Sequence, residues 1–181
     1  MTKNKPVEML FAGFGGQGIM FMGKLMAQAG LIARKNVTWM PSYGAEVRGG
    51  TAYSMTKISD GRIASPVVIR PDMLVVMNEP SLVKYEDKLK SKGVLVMNKS
   101  LIAAKPRRKD IKVVSMPITD FASRLGSARC ANMIAIGALI KVSKIFPVKT
   151  VLSALKEMLG DKEDVYLVNK KAIEKGYISA K

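Results

Sequence analysis

The sequence predicts a single α/β domain over residues 1–181, built in three layers, with a mixed, largely parallel sheet and a Rossmann-like glycine-rich first turn. Three observations lead to this fold class. The chain opens with an apolar strand, a glycine turn and a helix, several short apolar runs follow, and the last third has a helical pattern. A chain of 181 residues with 48% hydrophobic content is long enough to bury one core without disulfides.

The first α/β unit occupies the N-terminal part of the chain. Residues 7–12 are apolar and predict a strand, residues 13–18 are rich in glycine, and residues 19–33 carry apolar side chains at helical spacing. Residues 37–40 then predict a short buried strand. The connection after it, residues 41–50, is rich in turn-forming residues, as is typical of a functional loop.

The middle of the chain predicts the rest of the sheet. Residues 51–58 alternate like a strand, and residues 62–69 are a second extended piece that we expect to pair with it as a hairpin. Three continuous apolar runs predict buried strands, several of them parallel, because parallel strands are covered on both faces. These runs are residues 73–77, 94–97 and 111–115. Residues 81–91 supply a helical crossover between two of them.

The C-terminal part of the chain predicts helices. After Pro117, either Thr119 or Asp120 is a candidate N-cap residue for the first of them. A buried helix is expected near residues 129–146, and another over residues 148–159 that ends at Gly160. A last helix is expected to start at Asp161.

The amino-acid composition restricts the chemistry that the chain can perform alone. It contains no histidine and a single cysteine, Cys130, so the usual ligands of zinc, haem and iron–sulfur clusters are missing. The commonest general base at neutral pH is missing too. We therefore expect no metal and no cofactor bound by this chain alone, and expect any redox centre to belong to a partner.

The net charge of +16 favours acidic partners or phosphates. The one dense basic run, residues 105–109, lacks the interleaved aromatic residues of a base-stacking surface, so we expect no nucleic-acid partner. The most apolar stretch, residues 130–142, is shorter than the roughly 20 residues that span a bilayer. No secretion signal is visible at the N-terminus, and we expect a cytoplasmic protein with no membrane partner.

The glycine turn carries the first candidate site. Gly13, Gly15 and Gly18 fit the G-x-G-x-x-G spacing between a strand and a helix, where backbone N–H groups and the helix dipole favour an anion. The alternative is that the glycines only permit a tight turn and close packing. A nicotinamide or flavin site would need an acidic residue at the end of the second strand, where the sequence has Trp39-Met40-Pro41. Residues 18–24 also meet the Walker spacing, but Leu25 replaces the magnesium-binding hydroxyl, which excludes an ATPase.

The loop over residues 42–50 carries the second candidate site. It combines glycines with a hydroxyl, a phenol, a carboxylate and a guanidinium, the mixture expected where a ligand or another subunit is contacted. The alternative is that Glu46 and Arg48 form a solvated ion pair worth at most about 1 kcal/mol. We favour a functional loop.

Two polar residues in the apolar helix near residues 129–146 need separate interpretations. The amide of Asn132 must be hydrogen-bonded if it is buried, so it either is a satisfied core residue or holds the glycine turn or a nearby loop. Cys130 follows Arg129, but a single cysteine in a buried helix is more often a small core residue than a nucleophile. We assign Cys130 no role.

Five motifs together indicate a family. They are residues 13–19 (Gly-Phe-Gly-Gly-Gln-Gly-Ile), residues 41–50 (Pro-Ser-Tyr-Gly-Ala-Glu-Val-Arg-Gly-Gly), Ser65-Pro66, Pro71-Asp72 and residues 131–133 (Ala-Asn-Met). In this order they resemble the gamma subunit of 2-oxoacid:ferredoxin oxidoreductases, over nearly the whole chain. One departure is Ala45, where the family usually has proline, a change that affects the rigidity of the loop and removes no chemical group.

The resemblance implies an obligate, non-redox subunit with no catalytic residue of its own. In that family thiamine diphosphate, magnesium and iron–sulfur clusters lie on alpha-, beta- and ferredoxin-like delta-type partners, and coenzyme A is a co-substrate of an oxidative decarboxylation whose electrons pass to ferredoxin. The Ser-Tyr-Gly sequence resembles the 2-oxoglutarate and branched-chain types more than the pyruvate type. The residues expected at the cleft, ligand or subunit interface are Gly13, Gly15, Gly16, Gln17, Gly18, Ser42, Tyr43, Gly44, Glu46, Arg48, Gly49, Gly50 and Asn132. The runner-up is a stand-alone dinucleotide- or phosphate-binding module.

Overall fold

A mixed sheet of six strands lies at the centre of the computed structural model, which describes residues 5–42 and 51–181. The strands are β1 (Val7–Gly13), β2 (Asn36–Pro41), β3 (Ala52–Ser59), β4 (Met73–Val76), β5 (Val94–Asn98) and β6 (Lys112–Met116). Their order across the sheet is β2-β3-β1-β4-β5-β6. Neighbours β1, β4, β5 and β6 are parallel, and β3 runs antiparallel to both of its neighbours. The predicted fold class, a single α/β domain with a mixed, largely parallel sheet, is confirmed.

Helices cover both faces of the sheet, but unequally. They are α1 (Ile19–Ile32), α2 (Glu79–Tyr85), α3 (Ile118–Arg124), α4 (Ala131–Ser143), α5 (Val148–Leu159) and α6 (Glu163–Ser179). One core cluster joins α1 and α3–α6 to one face, and a smaller cluster joins α2 to the other. Alternate residues of the strands supply the two clusters: Met9 and Phe11 face the larger one, Leu10 and Ala12 the smaller. No helix within the described residues is long and apolar enough to cross a membrane.

The predicted hairpin of residues 51–58 with residues 62–69 is wrong. Both edges of β3 are already paired, one with β1 and the other with β2, so no backbone groups remain for a further strand. Residues 62–69 have no strand structure, and most of their side chains are exposed. Val68 is buried there, and its amide donates to the sulfur of Met55 at 3.2 Å.

The other predicted strands are present with small changes in their ends. The three apolar runs form β4, β5 and β6, and the crossover helix begins earlier than predicted, because the side chain of Asn78 caps it by accepting a hydrogen bond from the Ser81 amide at 2.9 Å. It ends sooner as well, in a 3₁₀ turn over Glu86–Lys88.

The predicted C-terminal helices are also present. Neither Thr119 nor Asp120 is the N-cap of α3, because Pro117 occupies that position and the helix starts at Ile118. The buried helix α4 is shorter than predicted and is preceded by a 3₁₀ turn over Ala128–Cys130. Helix α5 has the predicted bounds, with Gly160 at its C-cap at φ 56°, and α6 begins at Glu163 rather than Asp161.

Two glycines allow α4 and α6 to pack closely. A Cβ atom on Gly137 would lie 2.0 Å from the carbonyl oxygen of Ile173, and a Cβ on Gly176 would lie 2.0 Å from that of Ile134. Each helix therefore presents a glycine to the backbone of the other. Because α4 is buried along residues 131–140, this contact sets the distance between the outer helix and the core.

A charged cluster lies at the amino-terminal edge of the parallel strands. The ammonium group of Lys90 contacts Glu8 at 2.9 Å and Asp72 at 2.9 Å, and Lys57 contacts the other oxygen of Glu8 at 2.7 Å. Burial acts to raise the pKa of Glu8, but hydrogen bonds and charge from Lys57 and Lys90 outweigh it and hold that pKa below its ordinary value. The cluster joins β1, β3 and the starts of β4 and β5.

Candidate functional site

The candidate site lies at the carboxyl edge of the sheet, between β1 and β4. These two neighbouring parallel strands continue into helices on opposite faces, since α1 packs in the larger core cluster and α2 in the smaller. In open α/β sheets such a switch in direction leaves a crevice beyond the strand ends, where ligands commonly bind. The predicted glycine turn, residues 13–18, lies at this crevice.

Gln17 shapes the glycine turn. Its side-chain oxygen accepts a hydrogen bond from the Phe14 amide at 2.7 Å, and its side-chain nitrogen donates to the carbonyl oxygen of Met77 at 3.3 Å. The same side chain thus closes the turn and attaches it to the end of the neighbouring strand. Gly16 and Gly18 have φ values of 87° and 70°, a backbone conformation that glycine adopts without steric cost.

Asn132, in the first turn of α4, lies against Gly18. A Cβ atom on Gly18 would be 2.2 Å from the side-chain nitrogen of Asn132. The side-chain oxygen of Asn132 accepts from the Met133 amide at 2.9 Å, so its hydrogen bond is made within its own helix and not to the turn. Gly18 and Asn132, both predicted as site residues, are therefore in contact but are not hydrogen-bonded to each other.

Polar residues that the sequence analysis did not single out also lie at this edge. The amide of Asn98 donates to the Thr119 hydroxyl at 2.8 Å, and its oxygen accepts from the Thr119 backbone at 3.2 Å. Asn78 is buried at the end of β4. Each asparagine directly follows a predicted apolar strand, and that position could have identified them, because carboxyl ends of parallel strands meet at one edge.

Two cavities border the glycine turn. One, of about 230 Å³, is lined by Gly16, Gln17, Met77, Leu101, Thr119, Ala128, Arg129 and Ala131. The other, of about 390 Å³, is lined by Phe14, Gly15, Gly16, Gly18, Ile19, Met20, Phe21, Ser42 and Ala52. Ser42 thus reaches the glycine turn. Gly13 lies beneath the turn, where an added Cβ would be 2.5 Å from the Gln17 side-chain oxygen.

Six predicted site residues lie outside the described residues: Tyr43, Gly44, Glu46, Arg48, Gly49 and Gly50. The two ends of their segment, however, are positioned. Ser42 donates its amide hydrogen to the carbonyl oxygen of Tyr53 at 3.0 Å, and Ser42 and Ala52 line the same cavity as the glycine turn. The chain enters and leaves residues 43–50 beside the first candidate site.

The electrostatic character of the crevice favours an anionic ligand. The N-termini of α1 and α4 both adjoin the glycine turn, and neither has a side-chain cap. The positive ends of the two helix dipoles attract negative charge. Two amides in the first turn of α4 are already bonded, that of Ala131 to the Ala128 carbonyl oxygen and that of Met133 to the Asn132 side chain. Arg129 adds a guanidinium group to the smaller cavity.

Cys130 and two arginines of the basic run make contacts within the chain. Burial raises the pKa of the Cys130 thiol, which donates to the Ser127 carbonyl oxygen at 2.9 Å. Arg107 pairs with Asp87 at 2.9 Å, and Arg108 holds the pKa of Asp110 at about 2 by a hydrogen-bonded ion pair. Within residues 5–42 and 51–181, no three His, Cys, Asp or Glu side chains are grouped so that they could hold a metal ion.

Comparison with known proteins decides the family. Residues 8–179 match the pyruvate ferredoxin/flavodoxin oxidoreductase family, a span that includes all but the first residue of β1 and every later element through α6. The chain belongs to this family. The resemblance to gamma-type subunits that the motifs indicated is thereby confirmed at the level of the family.

Relatives in the oxidoreductase family include subunits of enzymes for different 2-oxoacids. The chain is 34% identical to the 2-oxoglutarate synthase subunit KorC of Methanocaldococcus jannaschii, covering 96% of this chain and 94% of that one. It is 32% identical to the ketoisovalerate oxidoreductase subunit VorA of Methanothermobacter thermautotrophicus, covering 94% of this chain. The chain spans only 35% of the length of that longer relative.

Solved structures of the oxidoreductase family have the same fold. A gamma subunit of a keto/oxoacid ferredoxin oxidoreductase from Geobacter sulfurreducens superposes with a TM-score of 0.83 at 28% identity, over 96% of this chain and 97% of that one. The 2-oxoglutarate:ferredoxin oxidoreductase from Magnetococcus marinus, solved with 2-oxoglutarate, coenzyme A and succinyl-CoA bound, gives a TM-score of 0.85 at 26% identity. The match covers 96% of this chain and 31% of that longer chain.

Proposed function

We propose that this chain is the gamma-type subunit of a thiamine diphosphate-dependent 2-oxoacid:ferredoxin oxidoreductase, which carries out CoA-dependent oxidative decarboxylation in the cytoplasm. The observation that carries the proposal is the nearly complete overlap with a separate gamma subunit, 96% of this chain against 97% of the other. A chain that corresponds to one whole subunit of such an enzyme is expected to work within a similar assembly.

In this proposal the redox chemistry belongs to the partners. Thiamine diphosphate, magnesium and iron–sulfur clusters are held by alpha-, beta- and delta-type subunits, and ferredoxin accepts the electrons. The isolated chain is inactive and binds none of these groups. A sequence with no histidine and one cysteine supports this division, because the cofactors supply the chemistry and the protein supplies placement and electrostatics.

The crevice at the glycine turn is proposed to complete the active-site cleft from the gamma side. It is positive at two helix ends, contains Arg129, and adjoins both ends of the segment 43–50. These features suit either the phosphates of coenzyme A or a carboxylate of a sister subunit. The residues expected to make these contacts are those of the glycine turn, the loop over residues 42–50, and Asn132.

Arg48→Ala tests the role of the loop. The variant removes a guanidinium group that is expected to contact a sister subunit or coenzyme A. Either the complex should fail to assemble, or its kcat/KM should fall at least about tenfold, which is equivalent to 1.4 kcal/mol. Arg124→Ala, an exposed arginine in the last turn of α3, is the control and should leave both unchanged. A complex with Arg48→Ala that assembles and turns over like the unmodified one would exclude this role.

A stand-alone dinucleotide- or phosphate-binding module is the second candidate. The glycine turn between β1 and α1 favours it, but the end of β2 lacks the acidic residue that holds ribose hydroxyls. Titration of the isolated chain with NAD, FAD and ATP separates the two functions. The subunit proposal expects no saturable binding, whereas micromolar binding by the chain alone would favour the module.

A further inference from the structure

The sheet face beneath α2 is covered by much less structure than the opposite face. Only α2, of seven residues, and irregular segments lie on it, whereas α1 and α3–α6 cover the other side among the described residues. The rings of Tyr53 and Tyr85 are 6.0 Å apart, and the Val68 amide contacts Met55. Because Tyr53 and Met55 are two residues apart on β3, α2 and the segment around Val68 lie side by side over that strand.

The other flank of α2 is fixed by Glu79. Its carboxylate accepts hydrogen bonds from the amides of Ala103 at 3.0 Å and Ala104 at 3.2 Å. The chain after β5 therefore runs along the start of the helix. The two flanking segments and the outer side of α2 thus lie on the same face of the sheet.

Large apolar side chains are exposed on all three parts of this surface. Ile69 is 74% exposed, Val83 on α2 is 64% exposed, and Leu101 and Val67 are 48% and 44% exposed. We call these four residues the α2 patch. A single exposed apolar residue needs no explanation, but several on neighbouring segments of one face, with charged residues among them, indicate an interaction surface.

The charges around the α2 patch are mainly positive. Arg62, Arg70, Lys88 and Lys105 are exposed on the same segments, and the Lys88 ammonium lies 5.2 Å from the centre of the Tyr85 ring. The exposed carboxylate of Asp87 is paired with Arg107 at 2.9 Å, so its charge is compensated locally. A second copy of the chain would bring two such positive rims together, in a protein whose net charge is already +16.

We propose that the α2 patch is the docking surface for a different polypeptide, one whose apolar contact residues are surrounded by carboxylates. The inference rests on the proposed function, in which this chain works inside a heteromeric enzyme. It adds that the partner docks on the sheet face that carries α2. The apolar residues are buried at the centre of the contact, and the basic rim attracts and orients the acidic partner. The α2 patch and the crevice meet at Leu101, which also lines the smaller cavity, whereas Val67, Ile69 and Val83 line neither cavity beside the glycine turn.

Hydrogen exchange on the complex purified from its native host, compared with the full isolated chain, tests the location. Assembly should slow amide hydrogen exchange in the three segments that carry the α2 patch, residues 62–70, 79–85 and 101–105. A Val83→Asp variant should then lower the yield of stoichiometric complex at least about tenfold, since an unpaired carboxylate is buried at the contact. Val165→Asp, at a residue 45% exposed on α6 on the other side of the sheet, is the matched control. Circular dichroism of both variants checks that they fold.

The outcomes separate the inference from the proposed function. Protection over the three segments, with loss of assembly for Val83→Asp and not for Val165→Asp, supports the α2 patch as the docking surface. A complex that forms without this protection, or with Val83→Asp at full yield, overturns the inference and leaves the proposed function intact. If no heteromeric complex exists, the proposed function fails as well, and concentration-dependent self-association abolished by Val83→Asp would identify a second copy as the occupant.

Discussion

Gly18 and Asn132 are far apart in the sequence and in contact in the structure, and their contact joins the glycine turn to α4. The positive φ of Gly18 excludes most side chains on conformational grounds, and Asn132 excludes them on steric grounds. Gly16 has the same kind of backbone conformation, but an added Cβ would meet nothing within 4 Å. The two glycines therefore separate the effect of backbone conformation from the effect of packing.

Gly18→Ala should destabilise the protein more than Gly16→Ala. Both variants place alanine in the left-handed region, at a cost of about 1–2 kcal/mol. Only Gly18→Ala also forces Asn132 to move, which adds about 1–3 kcal/mol. Urea unfolding of both variants measures the difference. Combining Gly18→Ala with Asn132→Ala should recover part of the loss, and equal losses for the two single variants would show that the contact with Asn132 is not restrictive.

Glu8 should give the protein a defined acid sensitivity. Because the folded-state pKa of Glu8 is below the ordinary value of 4.5, its contribution to the free energy of unfolding is present above that pH and is lost as the pH falls through the folded-state pKa. Glu8→Gln should lower stability by about 1–3 kcal/mol at neutral pH, because a charged hydrogen-bonding partner of Lys57 and Lys90 is removed.

The difference between Glu8→Gln and the unmodified protein should shrink as the pH falls below 4.5, since the protonated glutamic acid is also neutral. Urea unfolding across this range provides the measurement. Exposed Glu157→Gln is the control and should show little effect at any pH. A difference for Glu8→Gln that is independent of pH would mean that the ion pairs do not govern the acid sensitivity.

Among the elements, α4 and α6 depend most on close backbone contact. Helix propensity alone predicts that replacing a helical glycine by alanine stabilises the protein by about 0.5–1 kcal/mol. The structure predicts the opposite sign at Gly176, because the added Cβ would meet the backbone of Ile134, which cannot rotate away. Gly176→Ala should lower the free energy of unfolding by about 1–3 kcal/mol.

Thermal and urea unfolding of Gly176→Ala give the sign directly. Lys171→Ala, at an exposed position on the same helix, is the control for a surface change. Its free energy of unfolding should be within about 0.5 kcal/mol of that of the unmodified protein. A stabilised Gly176→Ala variant would mean that α4 and α6 are farther apart than described.

At the scale of elements, apolar continuity in the sequence identified β1, β4, β5 and β6 because such strands are buried on both faces. The prediction of a strand failed at residues 62–69, an extended segment of which only Val68 is buried. Pairing is decided by which strand edges are free, and β1 and β2 leave no free edge on β3. The glycine turn was predictable from spacing. The role of Met77, whose carbonyl oxygen accepts a hydrogen bond from Gln17, required the strand order, which no local pattern contains.

The whole molecule combines a positive surface, a crevice at the carboxyl edge and a thinly covered sheet face. A net charge of +16 makes association with acidic partners sensitive to salt, because screening shortens the range of the attraction. Family membership follows from the match over residues 8–179, and the activity of the assembly is the proposal that this match supports.

The most direct test of the central claim is gentle anaerobic purification of the protein from its native host. Co-eluting chains are identified by mass spectrometry, and the pool is assayed for 2-oxoacid-dependent reduction of ferredoxin with and without coenzyme A and thiamine diphosphate. The subunit proposal predicts that thiamine- and cluster-binding chains co-elute with an activity that requires coenzyme A. A protein that elutes alone, carrying a bound nucleotide and no such activity, would contradict it.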